Sequence, residues 1–470
     1  MPDPTGATAD FETTPPSDTP LTARLAAAIT GGRKEDIPQA AREKVSLCVL
    51  DFLACALEAH SLPWARQAAA LATDGAGACT IVGTARKVPA TDATFANAVA
   101  GHGLVREDMH TGSVSHLGVV VLPPLLALAQ ELRVDGRAFT AAAVIGYEVG
   151  ARIGRALITP EFTRTFRPTA FTGPLASAAA CSYLLDVDVQ TIASALGLAA
   201  NMAGGQNQWP HTGADEMFFH PGIAARNGLT AARLASLGAH GSEEALDGEA
   251  GLLPAYRPDR HAPDIRLFDR EPEIMSVFFK PVPVCNFAQT PCLAAIELAT
   301  DERVDCRNIA SVNVKTSRAA KAYPGCDHAG PFARVLQAKM SIQHAVASAL
   351  ARGCVDEESY RDLNDATVQE LAAKVTVEAD TGFTAAFPAM QGAEVKIILQ
   401  DGTTLSRRLA DVVPADRALI RRRFRTSAVE VLGADRANAL EQAVDGLADS
   451  SDVGSIMRLA RVTSAEAAAA

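Results

Sequence analysis

Along residues 21 to about 265, apolar residues recur at three- and four-residue spacings, and Gly or Pro punctuates the apolar blocks. "LTARLAAAIT" follows Pro20, and "PQAAREKVSLCVLDFLACALEA" carries Pro38 at its start. "ATFANAVAGHGL", "GRAFTAAAVIGYEVGARIGRAL", "TGPLASAAACSYLL", "DVQTIASALGLAANMAGG" and "GIAARNGLTAARLASLGAHG" repeat the pattern. This spacing predicts a succession of helices. Small residues dominate their faces, so the helices should approach closely. Strand-like alternation in this half is confined to "CTIVGT" near residue 80.

The pattern changes after residue 265. "IASVNVKTS" (309–317) and "AAKVTVEAD" (372–380) alternate apolar and polar residues, and "AEVKIILQDGTTLSRRL" (393–409) is two such runs around Asp401-Gly402. That last stretch is a hairpin signal. Helical patterns lie between the runs, in "TPCLAAIELAT" and "SIQHAVASALARG", and helical spacing returns beyond Pro414. The expected fold class is therefore mainly α: a large helical domain from residues 21–268 and 412–462, with a smaller α+β domain, residues 269–411, inserted in it. Residues 1–20, rich in Pro and Thr and without an apolar core, are expected to be a disordered N-terminus rather than a signal peptide. The tail "SAEAAAA" is expected to fray.

Composition narrows the function. The 470 residues are 48% hydrophobic and 21% charged, with a net charge of −11. An acidic chain lacks the basic face that drives nucleic-acid binding, although a local cluster of Arg and Lys can still hold an anionic small molecule. Apolar runs are broken within roughly a dozen residues, too short to span a bilayer, so no membrane association is expected. Nine scattered cysteines, none in C-x-x-C, read as reduced thiols of a cytoplasmic protein. Nucleotide loops and the serine-hydrolase elbow are missing.

Titratable residues concentrate in "REDMHTGSVSH" (106–116), with His102 shortly before. His102, His110 and His116 are spaced at eight and six, unlike the i, i+4 pairing of helical metal ligands, so no metal is expected. His116 precedes the apolar run "LGVVVLPPLLALAQEL" and should stand at a helix N-terminus. Unpaired N–H groups there suit a carboxylate, and the dipole favours a neutral imidazole base. Asp108 is expected to orient it. Arg167, before "PTAFTGPLASAAA", is a candidate carboxylate fork, with Arg106 in reserve. His220 is expected at another helix start, before Pro221. Lys280, flanked by Phe278, Phe279 and Pro281, is a candidate desolvated acid, with His110 as its alternative.

Taken in order, "ATFANAVAGHGL", "GRAFTAAAVIGYEVGARIG", "HPGIAARNGLTAARLASLGAHG" and "FFKPVPVCNFAQTPCLAAIEL" resemble the MmgE/PrpD family over about residues 22 to 460. The resemblance implies a helical domain built from both chain ends, an inserted smaller domain, a site between them, a homodimer, and dehydratase, decarboxylase or epimerase chemistry on small polycarboxylates without a cofactor. His116 matches the family's histidine, Glu107 and Asp108 its acidic pair within one residue, His110 the histidine that follows, and Lys280 its lysine. Arg167 stands where the family often has His, Met217 where it often has Lys, and His344 where it often has an aromatic. The function expected from these residues is a cofactor-independent lyase or isomerase acting on the carbon α to a carboxylate. The alternative is a non-catalytic homologue that binds a dicarboxylate. The enzyme reading expects His116, Asp108 and Lys280 to converge on one cavity.

Overall fold

The computed structural model describes residues 19–32, 37–75, 77–257, 259–260 and 263–462. The expected disorder of the N-terminus and of the tail falls outside these residues, apart from Thr19 and Pro20, which lead into the helix Leu21–Gly31.

Apolar spacing becomes a bundle of helices whose faces are nearly all buried. Its centre is α1 (Gln39–Ala59), α2 (Ala90–His102), α3 (Gly118–Leu132), α4 (Gly136–Leu157), α5 (Pro168–Leu184) and α6 (Glu216–Ser236). α5 packs on α4 and α6, and α2 packs between α3 and α6. Small residues allow this approach. A Cβ on Gly173 of α5 would sit 2.8 Å from the Ala224 methyl of α6. Prolines 123, 124, 174 and 221 all lie inside helices. His220 is thus within α6, not at its start: the helix begins at Glu216, and Pro221 falls in its second turn.

The alternating stretches form one four-stranded sheet. β1 (Met109–His110) and β2 (Val277–Phe278) pair separately as a short antiparallel clip. In the sheet, β3 (Ile309–Thr316) runs parallel to β4 (Val375–Ala379) and antiparallel to β5 (Ala393–Leu399), which pairs with β6 (Thr404–Leu409). The hairpin turns at Asp401-Gly402, where Gly402 has φ +86°, a conformation that suits a residue without Cβ. Helices Gln289–Asp301 and Ile342–Arg352 pack on each other, and the first of them covers β5 and β6. The chain then returns to the bundle, where Arg417–Leu432 packs against α1. Among the described residues no strand lies between 118 and 236, and no single helix is long and apolar enough to cross a membrane. All nine cysteines are free thiols.

Candidate active site

The segment after α2 doubles back. Val105 adopts φ +59°, a left-handed conformation that is costly for a β-branched residue. This reversal returns Glu107 to the end of α2 and places its carboxylate against His102, whose Nδ1 hydrogen-bonds Glu107 Oε1. The same oxygen lies 2.7 Å from Nδ1 of His116. That second contact is close but out of line for a hydrogen bond, so His116 Nδ1 and Glu107 Oε2 remain buried without hydrogen-bond partners. The two imidazoles meet edge to face, with ring centroids 4.9 Å apart. Val114, just before His116, is also left-handed, at φ +48°.

Nε2 of His102 lies 2.8 Å from Met217 Sδ and 3.4 Å from Nη2 of Arg167. Arg167 is the residue before α5 and is 6% exposed. Its guanidinium lies over the Trp209 ring, 5.4 Å from the centroid. Among the described residues it makes no ion pair, and its Nε has no hydrogen-bond partner. His116, Arg167 and Met217 line a cavity of about 20 Å³, together with Cys285, Asn286, Phe287, Tyr323 and Met340. A space of that size holds little more than a water molecule or one carboxylate oxygen.

Burial decides the protonation. It pushes His116 down to about 3, although the Glu107 charge opposes it, and it lowers His102 in the same way. Burial alone would raise Glu107, but the charges and N–H groups of the two histidines outweigh it and hold the carboxyl well below its usual range. The consistent state is a Glu107 carboxylate between two neutral imidazoles that hold their Nδ1 atoms against it. In that tautomer Nε2 carries the lone pair. Burial likewise lowers Lys280 to about 8, with Glu107 as the largest opposing influence.

Several expected site residues fall elsewhere. Asp108 does not orient His116. Its carboxylate accepts from the Tyr147 hydroxyl and, at 3.0 Å, from the Gly118 N–H, so it caps α3 and occupies the N-terminus expected to hold substrate. Burial raises it to about 6. Lys280 is fully buried beside this group, but its ammonium donates to the Val105 carbonyl and does not line the cavity. The expected convergence of His116, Asp108 and Lys280 is therefore corrected: His116 alone of the three reaches the cavity, and its companion there is Arg167. The carboxylate behind it is Glu107, which the sequence pattern left undivided from its neighbour.

His110 is also outside. It hydrogen-bonds Ser113 and Glu273, and Glu273 is neutralised further by Arg152 and Arg155. Arg106 points away and grips Glu58 with both terminal nitrogens. His344 stacks on Tyr360 and meets Phe332 edge to face. His220 is close enough to Arg167 and His102 for their charges to bear on it, yet it does not line the cavity. His102, considered from sequence only as a metal ligand, Cys285 and Tyr323 complete the site. Only the backbone reversal at Val105 explains why His102 belongs with Glu107.

The donor atoms of His102, Glu107 and His116 lie within 4.8 Å of one another, a set that could hold a metal ion. The spacing of histidines did not show this, because the third donor is a glutamate. Two cations adjoin the set, Arg167 by contact and Lys280 through its influence on Glu107. Their field opposes a further dication and favours an anion.

Comparison with known proteins gives the lineage. The family model described as the MmgE/PrpD N-terminal domain matches residues 23–263, and that of the MmgE/PrpD C-terminal domain matches residues 282–449. The chain is 26% identical to a cis-aconitate decarboxylase of Aspergillus terreus over 467 residues, covering 90% of this chain and 92% of the other. It is 27% identical to the cis-aconitate decarboxylase-like protein oryM of Aspergillus oryzae, covering 93% and 97%. It is 27% identical to the human cis-aconitate decarboxylase over 78% of each chain.

Proposed function

The chain belongs to the MmgE/PrpD family, and from that premise we propose that it is a lyase acting on a small di- or tricarboxylate. Carboxy-lyase action on a cis-aconitate-like acid is the form favoured by its relatives. The observation that carries the reading is Arg167: a buried guanidinium with no carboxylate partner among the described residues, on the same cavity wall as His116. A buried charge left unpaired is costly. A substrate carboxylate removes that cost by accepting the fork of N–H donors.

The chemistry follows from the groups present. In a decarboxylation the C–CO₂ bond breaks and its electron pair stays on the substrate carbon. That pair delocalises toward a conjugated carboxylate held by Arg167, and a proton delivered through His116 Nε2 quenches the carbon. In a dehydration or epimerisation the same nitrogen removes the α-proton. Glu107 is a positioning residue. It fixes the tautomer and favours the imidazolium as it forms, the role a carboxylate plays behind a general base. Arg167 and Lys280 offset the charge that develops.

The reading is tested by incubating the protein with cis-aconitate, citrate-type and alkylated dicarboxylates in D₂O. Deuterium at the carbon next to a carboxylate, with or without CO₂ release, supports it. A protein that binds these acids and exchanges no proton is the non-catalytic homologue instead.

A further inference from the structure

The 20 Å³ inner cavity adjoins a much larger one. A chamber of about 480 Å³ lies on the far side of Val114, Phe287 and Tyr323, which line both spaces. The Phe287 ring sits between Tyr323, 5.1 Å away, and Phe387, 5.8 Å away, so a run of aromatic faces leads from the inner space outward. Beyond it the wall is Ile158, Pro160, Ala319, Ala322 and Pro388. The charged side chains of the lining are Arg164 and Arg318, both exposed, and among the described residues neither forms an ion pair. Among the described residues no carboxylate lines the chamber.

These observations set a constraint on the substrate. The reacting group must reach His116 and Arg167, but the inner cavity has no room for a whole tricarboxylate. The rest of the molecule has to lie in the outer chamber, whose volume is that of an ordinary ligand site. A bare polyacid would put its remaining carboxylates against Phe287, Phe387 and Ile158, away from water and without hydrogen-bond donors, which is unfavourable. An apolar chain would gain there. The two arginines at the rim attract anions without requiring one to be buried.

We infer that the substrate of this site carries an alkyl substituent of several carbons next to its reacting carboxylate, and that the chamber behind Phe287 binds that substituent. The inference rests on the proposed carboxylate site and names the substrate class for it.

The test is calorimetric binding of succinate and of 2-methyl-, 2-propyl- and 2-hexylsuccinate to the intact protein. Affinity should rise by about threefold to fourfold per added methylene until the chamber is filled. Ala319→Trp, which fills the chamber, should flatten that series, so that hexylsuccinate binds no better than methylsuccinate. An affinity independent of chain length in the unmodified protein would overturn the alkyl inference while leaving the carboxylate site standing. Failure of succinate and all its derivatives to bind would overturn both. Because the series uses the unmodified protein, a folding defect in the Trp variant leaves that outcome intact. A melting curve on the variant shows whether its own series is to be counted.

Discussion

His116 Nδ1 and Glu107 Oε1 are 2.7 Å apart inside the protein, with both residues almost fully buried. One carboxylate oxygen serves two imidazoles, since His102 binds it too. The contact leaves His116 with one nitrogen for chemistry, on a ring that lines the cavity. Glu107→Gln keeps the shape and removes the charge. The expected result is a fall in turnover of about 10²- to 10⁴-fold, the usual worth of a positioned acid or base, with a much smaller change in substrate affinity. The pH–rate profile should lose the limb due to the imidazole. A variant with unaltered turnover and profile would show that the carboxylate is only structural.

Asp108, the neighbour of Glu107, should behave in the opposite way. It accepts from Tyr147 and from the first N–H of α3, and a Cβ at Gly118 would come 2.5 Å from its Oδ1. Asp108→Ala removes a helix cap and strands a buried hydroxyl, which together should cost on the order of 2–4 kcal/mol. Chemical denaturation should show that loss, while the turnover of the folded fraction stays within a few-fold of the parent. Gly118→Ala should destabilise by the same route.

These two adjacent residues mark how far the chain could be read from its pattern. The alternation of "IASVNVKTS" and "AEVKIILQDG" against helical spacing elsewhere announced a mainly helical protein with an inserted sheet, because side-chain period follows directly from backbone geometry. His116 and Arg167 were legible because each directly precedes a Gly- or Pro-marked helix. The partition of Glu107 and Asp108 was not. It depends on the left-handed turn at Val105, a conformation that no β-branched residue advertises. Arg106, His110 and His344 looked chemical because they are titratable, but Glu58, Glu273 and Tyr360, distant in sequence for the first two, claim them.

Arg167 gives a third prediction. Its guanidinium has no carboxylate partner among the described residues and is held over Trp209. Arg167→Lys keeps the charge but loses the fork. The Michaelis constant should rise by about 10-fold or more, which is the worth of one charged hydrogen bond, and kcat should fall less. Arg167→His restores the residue that relatives of this family often carry. Steady-state kinetics on both variants would separate binding from chemistry: a loss confined to kcat would place Arg167 at the reacting atoms instead of the carboxylate.

The last prediction concerns pH and Asp51, which lies buried in α1 and is raised by burial to about 7, with the nearby Asp108 charge adding to the effect and Arg106 and Arg423 opposing it. The folded protein therefore holds a proton that the unfolded chain releases near pH ~4. Between those values the native state binds more protons than the unfolded state, so unfolding free energy falls as pH rises from about 4 to 7. Below that window both states are protonated, and above it both are ionised, so the Asp51 contribution is flat outside it. Asp51→Asn keeps the size of the side chain and removes the ionisation. It should raise stability at pH 8 relative to the parent while leaving stability at pH 4 little changed, and the slope between them should diminish. Urea midpoints at the two pH values measure this directly. If the variant is instead less stable at pH 8, the Asp51 carboxylate is held by Arg106 and Arg423 more strongly than burial penalises it, and the charge is a stabilising part of the bundle.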